Sequence, residues 1–177
     1  ANAAPHLSRN RAFLIMLARG LFVALLTPYV GWLVFAYDYH FLDGVNLALH
    51  EGGHLVFAAF GQTLQVLGGT IGQLFFPIAC LASFAHRKQV FETAVCGIWA
   101  AESLMYTAQY LGDARAQALP LVGGHIHDWN HLLSQAGLLG WSESLGTALH
   151  VVASVAAMAA LTVAIRHVRP SQAVSAP

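Results

Sequence analysis

The sequence predicts an all-α, polytopic transmembrane helical bundle of about four to six membrane helices, some of them short or re-entrant. Three observations predict it. Of 177 residues, 57% are hydrophobic and only 9% are charged, where a soluble domain carries about 25% charged residues. Apolar runs near the roughly 20 residues needed to cross the hydrocarbon as a helix recur along the chain. Short polar or basic connectors such as Gly61-Gln62-Thr63 and Arg87-Lys88-Gln89 separate them. The formal net charge is zero, so no electrostatic footprint for nucleic acid is present.

Each element follows from its run. Phe13 to Ala36 is the first span, too long for a signal-peptide core despite Arg9 and Arg11 ahead of it, with Pro28 and Gly31 as kink points. Tyr37 to Gly44 reads as a polar loop. Val45 to Phe60 is a helix short for a full crossing, hence tilted, sunken or re-entrant. Leu64 to Ala85 is the next span, weakened by Gly68, Gly69, Gly72 and Pro77. Val90 to Leu111 follows, with Glu102 near its middle. Gly112 to Asp128 is a loop in which Pro120 and Gly123-Gly124 favour a turn. Trp129 to Leu139 is a short amphipathic helix, and Ser142 to Ile165 is the last span. Residues 1–170 form one membrane-embedded domain, and 171–177 a disordered tail.

Basic residues orient such a chain. If the Val45 helix does not cross, then Arg9, Arg11, Arg87, Lys88, Arg166 and Arg169 share one side and Arg115 lies on the other. The expected location is an integral membrane protein of a bacterial inner membrane. Cys80 and Cys96 lack metal-binding spacing and read as two buried thiols.

The chemistry concentrates at His50-Glu51-Gly52-Gly53-His54, the pattern H-E-x-x-H. Residues four apart share a helix face, so both imidazoles reach one metal ion. Glu51 is turned off that face and reaches a metal-bound water as general base. Ionisable groups in an apolar helix are costly unless they have a function. Gly52 and Gly53 each weaken the helix by about 1 kcal/mol relative to Ala, which fits a close approach of backbone or substrate.

A catalytic Zn2+ requires a third protein ligand and an open position. The run from His125 to His131 supplies candidates in Asp128, His127, His125 and His131, with Asp113 as a fallback. Asp128 also suits the N-cap of the following helix, and His127 could ligate directly or orient a ligand. Gln73, Glu102, Gln109, Tyr110 and Asp113 are polar groups within or at the ends of apolar runs. Their default role is cross-linking helices, and Glu102 and Asp113 could instead line a water path to the metal. His150 reads as a packing histidine.

HEGGH in an apolar helix, then small-residue-rich spans, then a Gly-Gly turn with a downstream aspartate, resembles the site-2 protease family of membrane zinc metallopeptidases. The likeness covers Val45 to Leu139, about half the chain. It implies His50 and His54 as zinc ligands, Glu51 as base, and an aspartate of a later helix as third ligand. The family's Asn-Pro-Asp-Gly or Leu-Asp-Gly follows its zinc helix; here Leu42-Asp43-Gly44 precedes HEGGH, and LVGGHIHDW stands in the later place, which transfers the role to Asp128. The implied function is a membrane-embedded zinc endopeptidase, with a zinc-held water as nucleophile, acting on membrane or membrane-proximal polypeptides. Two rivals stand beside it: a non-proteolytic metal-binding membrane protein (transporter, sensor or accessory subunit), and a structural subunit with a degenerate site. Ten histidines against eight Lys plus Arg suit metal handling. The sequence carries no statement of oligomeric state.

Overall fold

The computed structural model describes residues 4–122 and 126–169, with side chains from Asn10 onward. The Gly123-Gly124 turn, His125 and the tail at 171–177 lie outside the described residues. Every regular element among them is helical: α1 (Ala4–Phe35), α2 (Phe41–Phe57) continued by a 3-10 turn (Ala58–Phe60), α3 (Gln62–His86), α4 (Val90–Asp113), α5 (Asp128–Gln135), a 3-10 turn (Leu139–Trp141) and α6 (Ser142–Arg166). Three helical stretches are long and apolar enough to cross a membrane: Asn10–Phe35, Gln62–His86 and Leu139–Arg166. The fourth long helix, α4, carries Glu92, Glu102 and Asp113 and is not among them.

The apolar residues largely face outward and many polar ones face inward. Leu14, Leu21, Leu25, Phe75, Ile78, Val151, Val152 and Val155 are exposed, whereas Asp43, Asn46, His50, Gln73, Glu102 and Ser103 are buried. This inversion of the soluble pattern is what an apolar solvent selects, because polar groups there must find partners inside the bundle.

The central helix is α4, packed most extensively on α6 and also on α3. One core cluster joins Val30 and Leu33 of α1, Ile98, Ala101 and Met105 of α4, and Ala153 and Ala157 of α6. Small residues set the spacing: a Cβ added at Gly146 would lie 2.7 Å from the Ala108 carbonyl oxygen and 2.8 Å from Gly112 Cα. At one end of the bundle, Arg19 of α1 pairs with Glu92 at the start of α4 and reaches the His167 carbonyl just past α6. Thus α1 and α4 run parallel and α6 runs against them.

The first turn of α2 begins at Phe41, inside the stretch expected to be a loop. Asp43 is the reason: its Oδ2 accepts the His40 backbone N–H at 3.0 Å, capping the helix from its third residue. The Asp-Gly pair that signals a turn in the sequence is therefore the opening of a helix. The buried positions Asp43, Asn46, His50 and Gly53 fall on one face of α2, while Phe41, Leu55 and Val56 lie on exposed faces. That face is pressed on α3, where Gly53, Gly68, Gly69 and Gly72 let the backbones meet: a Cβ at Gly53 would stand 2.1 Å from the Gly68 oxygen. Gly61 (φ 88°) then turns the chain into α3.

Candidate metal centre

The two histidines of α2 present the same nitrogen to one point. His50 Nε2 lies 2.7 Å from Asp128 Oδ2, and His54 Nε2 lies 3.2 Å from the same oxygen. The rings stand edge to face with centroids 4.7 Å apart. Ligand atoms of His50, Glu51 and His54 also lie within 4.8 Å of one another. In a tetrahedral zinc site with bonds of about 2.0 Å, ligand atoms sit roughly 3.3 Å apart. The His–Asp separations fall at or just under that spacing, so a small outward shift of the carboxylate would make room for the ion.

The other ring nitrogens fix the tautomers. His54 Nδ1 donates to the Gln65 carbonyl at 2.8 Å, and His50 Nδ1 faces Gln73 Oε1 at 3.3 Å. With the proton on Nδ1, each Nε2 lone pair is free for a metal. Gln73 is itself held: its amide nitrogen donates to the Ser103 carbonyl (2.8 Å), Ser103 Oγ (2.9 Å) and Thr107 Oγ1 (3.2 Å) of α4. Its carbonyl is therefore locked toward His50. Gly69 clears the space, since a Cβ there would meet His50 Nε2 at 2.5 Å and His54 Cε1 at 2.6 Å. Two imidazoles, one carboxylate and their supporting acceptors are a donor set that fits zinc.

Asp128 opens α5 as its first residue rather than its N-cap. The cap is His127, whose Nδ1 accepts the Asn130 N–H at 3.3 Å. His127 Nε2 faces Asp113 Oδ2 at 3.4 Å, and its ring stacks on Tyr110 with centroids 4.1 Å apart. Both its nitrogens are thus turned to groups other than the HEGGH histidines, and burial lowers its pKa below the usual histidine value, with Asp113 opposing. The Asp128 backbone N–H donates to the Tyr110 hydroxyl at 3.1 Å, so α4 helps to seat the carboxylate. Asp113 accepts the Ala118 and Leu119 N–H groups at 2.9 and 3.0 Å and ties down the start of the loop. His131 lies beside Gln135, 3.0 Å away.

A cavity of about 660 Å³ opens on this centre, lined by His50, Glu51, His54 and Asp128 together with Tyr106, Gln109 and Tyr110. Leu47, Leu55, Val66, Leu119, Leu121 and Ile126 make much of its wall apolar. Neither the Gln65 carbonyl nor Gly69 was singled out for this centre from the sequence. Gly69 carried a signal, since it lies in a small-residue run that must pack on the glycines of the motif.

No family model matches the chain, and no curated protein or solved structure matches it.

Proposed function

We propose that this chain is a membrane-embedded, zinc-dependent endopeptidase of the site-2 protease kind, acting on membrane or membrane-proximal polypeptides. One observation carries the reading: both HEGGH histidines aim Nε2 at a single Asp128 oxygen, beside Glu51 and on the wall of a cavity. Zinc bound there would supply Lewis acidity toward a carbonyl and bring the pKa of a water toward 7. His50, His54 and Asp128 would hold the ion, and Gln73 and the Gln65 carbonyl orient the two rings. Glu51 takes the proton of the attacking water and returns it to the leaving amine. The apolar wall receives side chains of a substrate that enters extended, since a helix hides its carbonyls in its own hydrogen bonds.

In this reading α4 is the fourth crossing helix beside α1, α3 and α6, and the 17-residue α2 and the short α5 penetrate without spanning. The Arg19–Glu92 pair and the Arg87-Lys88 connector then share the cytoplasmic side of a bacterial inner membrane with the end of α6.

The test is Glu51→Gln in the purified full chain, incubated in detergent with a mixture of single-span membrane polypeptides. The expected result is wild-type zinc content with loss of every peptide fragment that the unaltered protein generates. Equal fragment yields from both proteins would overturn the mechanism. Zinc binding with no fragments from either protein would favour the non-proteolytic reading.

A further inference from the structure

A second cluster of metal-ligating side chains lies in the bundle interior, apart from HEGGH. His40, Asp43 and Glu102 each bring a ligand atom within 4.8 Å of the others. They meet where α1 has ended and α2 begins, beside the middle of the 24-residue α4. Asp43 and Glu102 are both 0% exposed, and the His40 side chain is 16% exposed.

The cluster is short of positive charge. Among the described residues no Lys or Arg pairs with either carboxylate; the sole basic partner is His40, 2.7 Å from Asp43 through Nδ1 and 3.6 Å from Glu102 through Nε2. Glu102 therefore faces no cation at hydrogen-bonding distance. Its two oxygens accept from one amide nitrogen, Asn46 Nδ2, at 3.0 and 2.9 Å. A buried carboxylate held that way is incompletely compensated. Around the three groups stands an orienting shell: the Tyr37 hydroxyl donates to Asp43 Oδ1 at 2.5 Å, the Tyr29 hydroxyl lies 2.6 Å from His40 Nε2, and Trp99 Nε1–H donates to Asn46 Oδ1 at 3.1 Å. The indole bond turns the Asn46 amide so that its nitrogen faces Glu102. Outer groups that fix rotamers in this way are characteristic of metal ligands.

We propose that His40, Asp43 and Glu102 form a second site, for a divalent transition-metal ion. Two carboxylates and a neutral imidazole balance a charge of +2, and the imidazole selects such an ion over magnesium or calcium. The site stands on different ligands from the HEGGH centre and does not depend on the proteolytic reading.

Equilibrium dialysis of the metal-stripped full chain in detergent against Zn2+, repeated with Co2+ and its visible absorption, tests the proposal. The expected result is two ions per chain, one of them lost in Glu102→Gln and the other lost in His54→Ala. Gln keeps an acceptor for Asn46 and nearly the same volume; Asp43→Asn serves as the second variant, and each is accepted only with wild-type helicity by circular dichroism. A single ion per wild-type chain that survives in both Glu102→Gln and Asp43→Asn overturns the proposal, as do two ions that survive in both. A single ion per wild-type chain that is lost in Glu102→Gln and kept in His54→Ala would count against the HEGGH centre and leave this site standing.

Discussion

His50 and His54 each have the far nitrogen engaged, one by a side chain and one by a backbone carbonyl. The two arms differ in how they can be broken. Gln73→Leu removes the acceptor for His50 and leaves Ser103 and Thr107 to each other. The expected loss is roughly 10–100-fold in zinc affinity, read by competition with a chromogenic chelator; an unchanged affinity would show that Gln73 does not orient the ligand. Gly69→Ala is expected to be more severe, because its methyl would occupy space 2.5 Å from His50 Nε2. With zinc bound as proposed, metal analysis of that variant should find it lost while the helices persist. At this scale the grouping of His50, Glu51 and His54 was legible from spacing alone, whereas Asp128 was one of several candidates to stand beside them. Choosing between Asp128 and His127 needed coordinates, since neighbours in sequence diverge by about 100° around a helix start.

The two glycines inside the motif are unlike each other once α2 is packed. A Cβ at Gly52 meets nothing within 4 Å, whereas one at Gly53 collides with the α3 backbone at Gly68. Gly52→Ala should therefore leave the fold intact and stabilise the helix by about 1 kcal/mol. Gly53→Ala should destabilise by about 1–3 kcal/mol or more, since backbone cannot yield as a side chain can. Thermal unfolding of the two variants in the same detergent decides it, and equal midpoints would refute the close α2–α3 contact. The long runs announced α1, α3, α4 and α6 as helices, three of which, all but α4, are apolar enough to cross a membrane. The start of α2 was hidden because Asp43-Gly44 carries a turn signal, and the helix that overrides it depends on a cap from Asp43 to the His40 N–H. A face reading from His40 through Asp43, Asn46 and His50, at intervals of three and four, was available and would have exposed the earlier start and placed Asp43 on the face of His50.

Across the whole molecule, one end gathers Arg19, Glu92 and the close of α6, while α5 and Asp128 sit near the other end of α4. Single cysteines placed at Arg87 and Arg115 should accordingly be labelled from opposite faces of sealed vesicles; labelling of both from one face would sink the four-crossing arrangement. The centre also joins elements distant in sequence, since His50 and Asp128 are 78 positions apart. With zinc bound as proposed, removing it with a chelator should speed hydrogen exchange in the eight-residue α5 far more than in α4, because Asp128 then loses the ion that joins it to α2. Uniform exchange before and after chelation would deny that link. The sequence by itself determined that the chain is helical and largely apolar, and that His50, Glu51 and His54 share one short helix, because periodicity and composition are local properties. Only the tertiary structure decided which carboxylate meets those histidines, that Gln73 and Gly69 shape their surroundings, and that His40, Asp43 and Glu102 converge. Those are distances between helices, set by where glycines let backbones approach and where buried polar groups must find partners, and no stretch of sequence contains them.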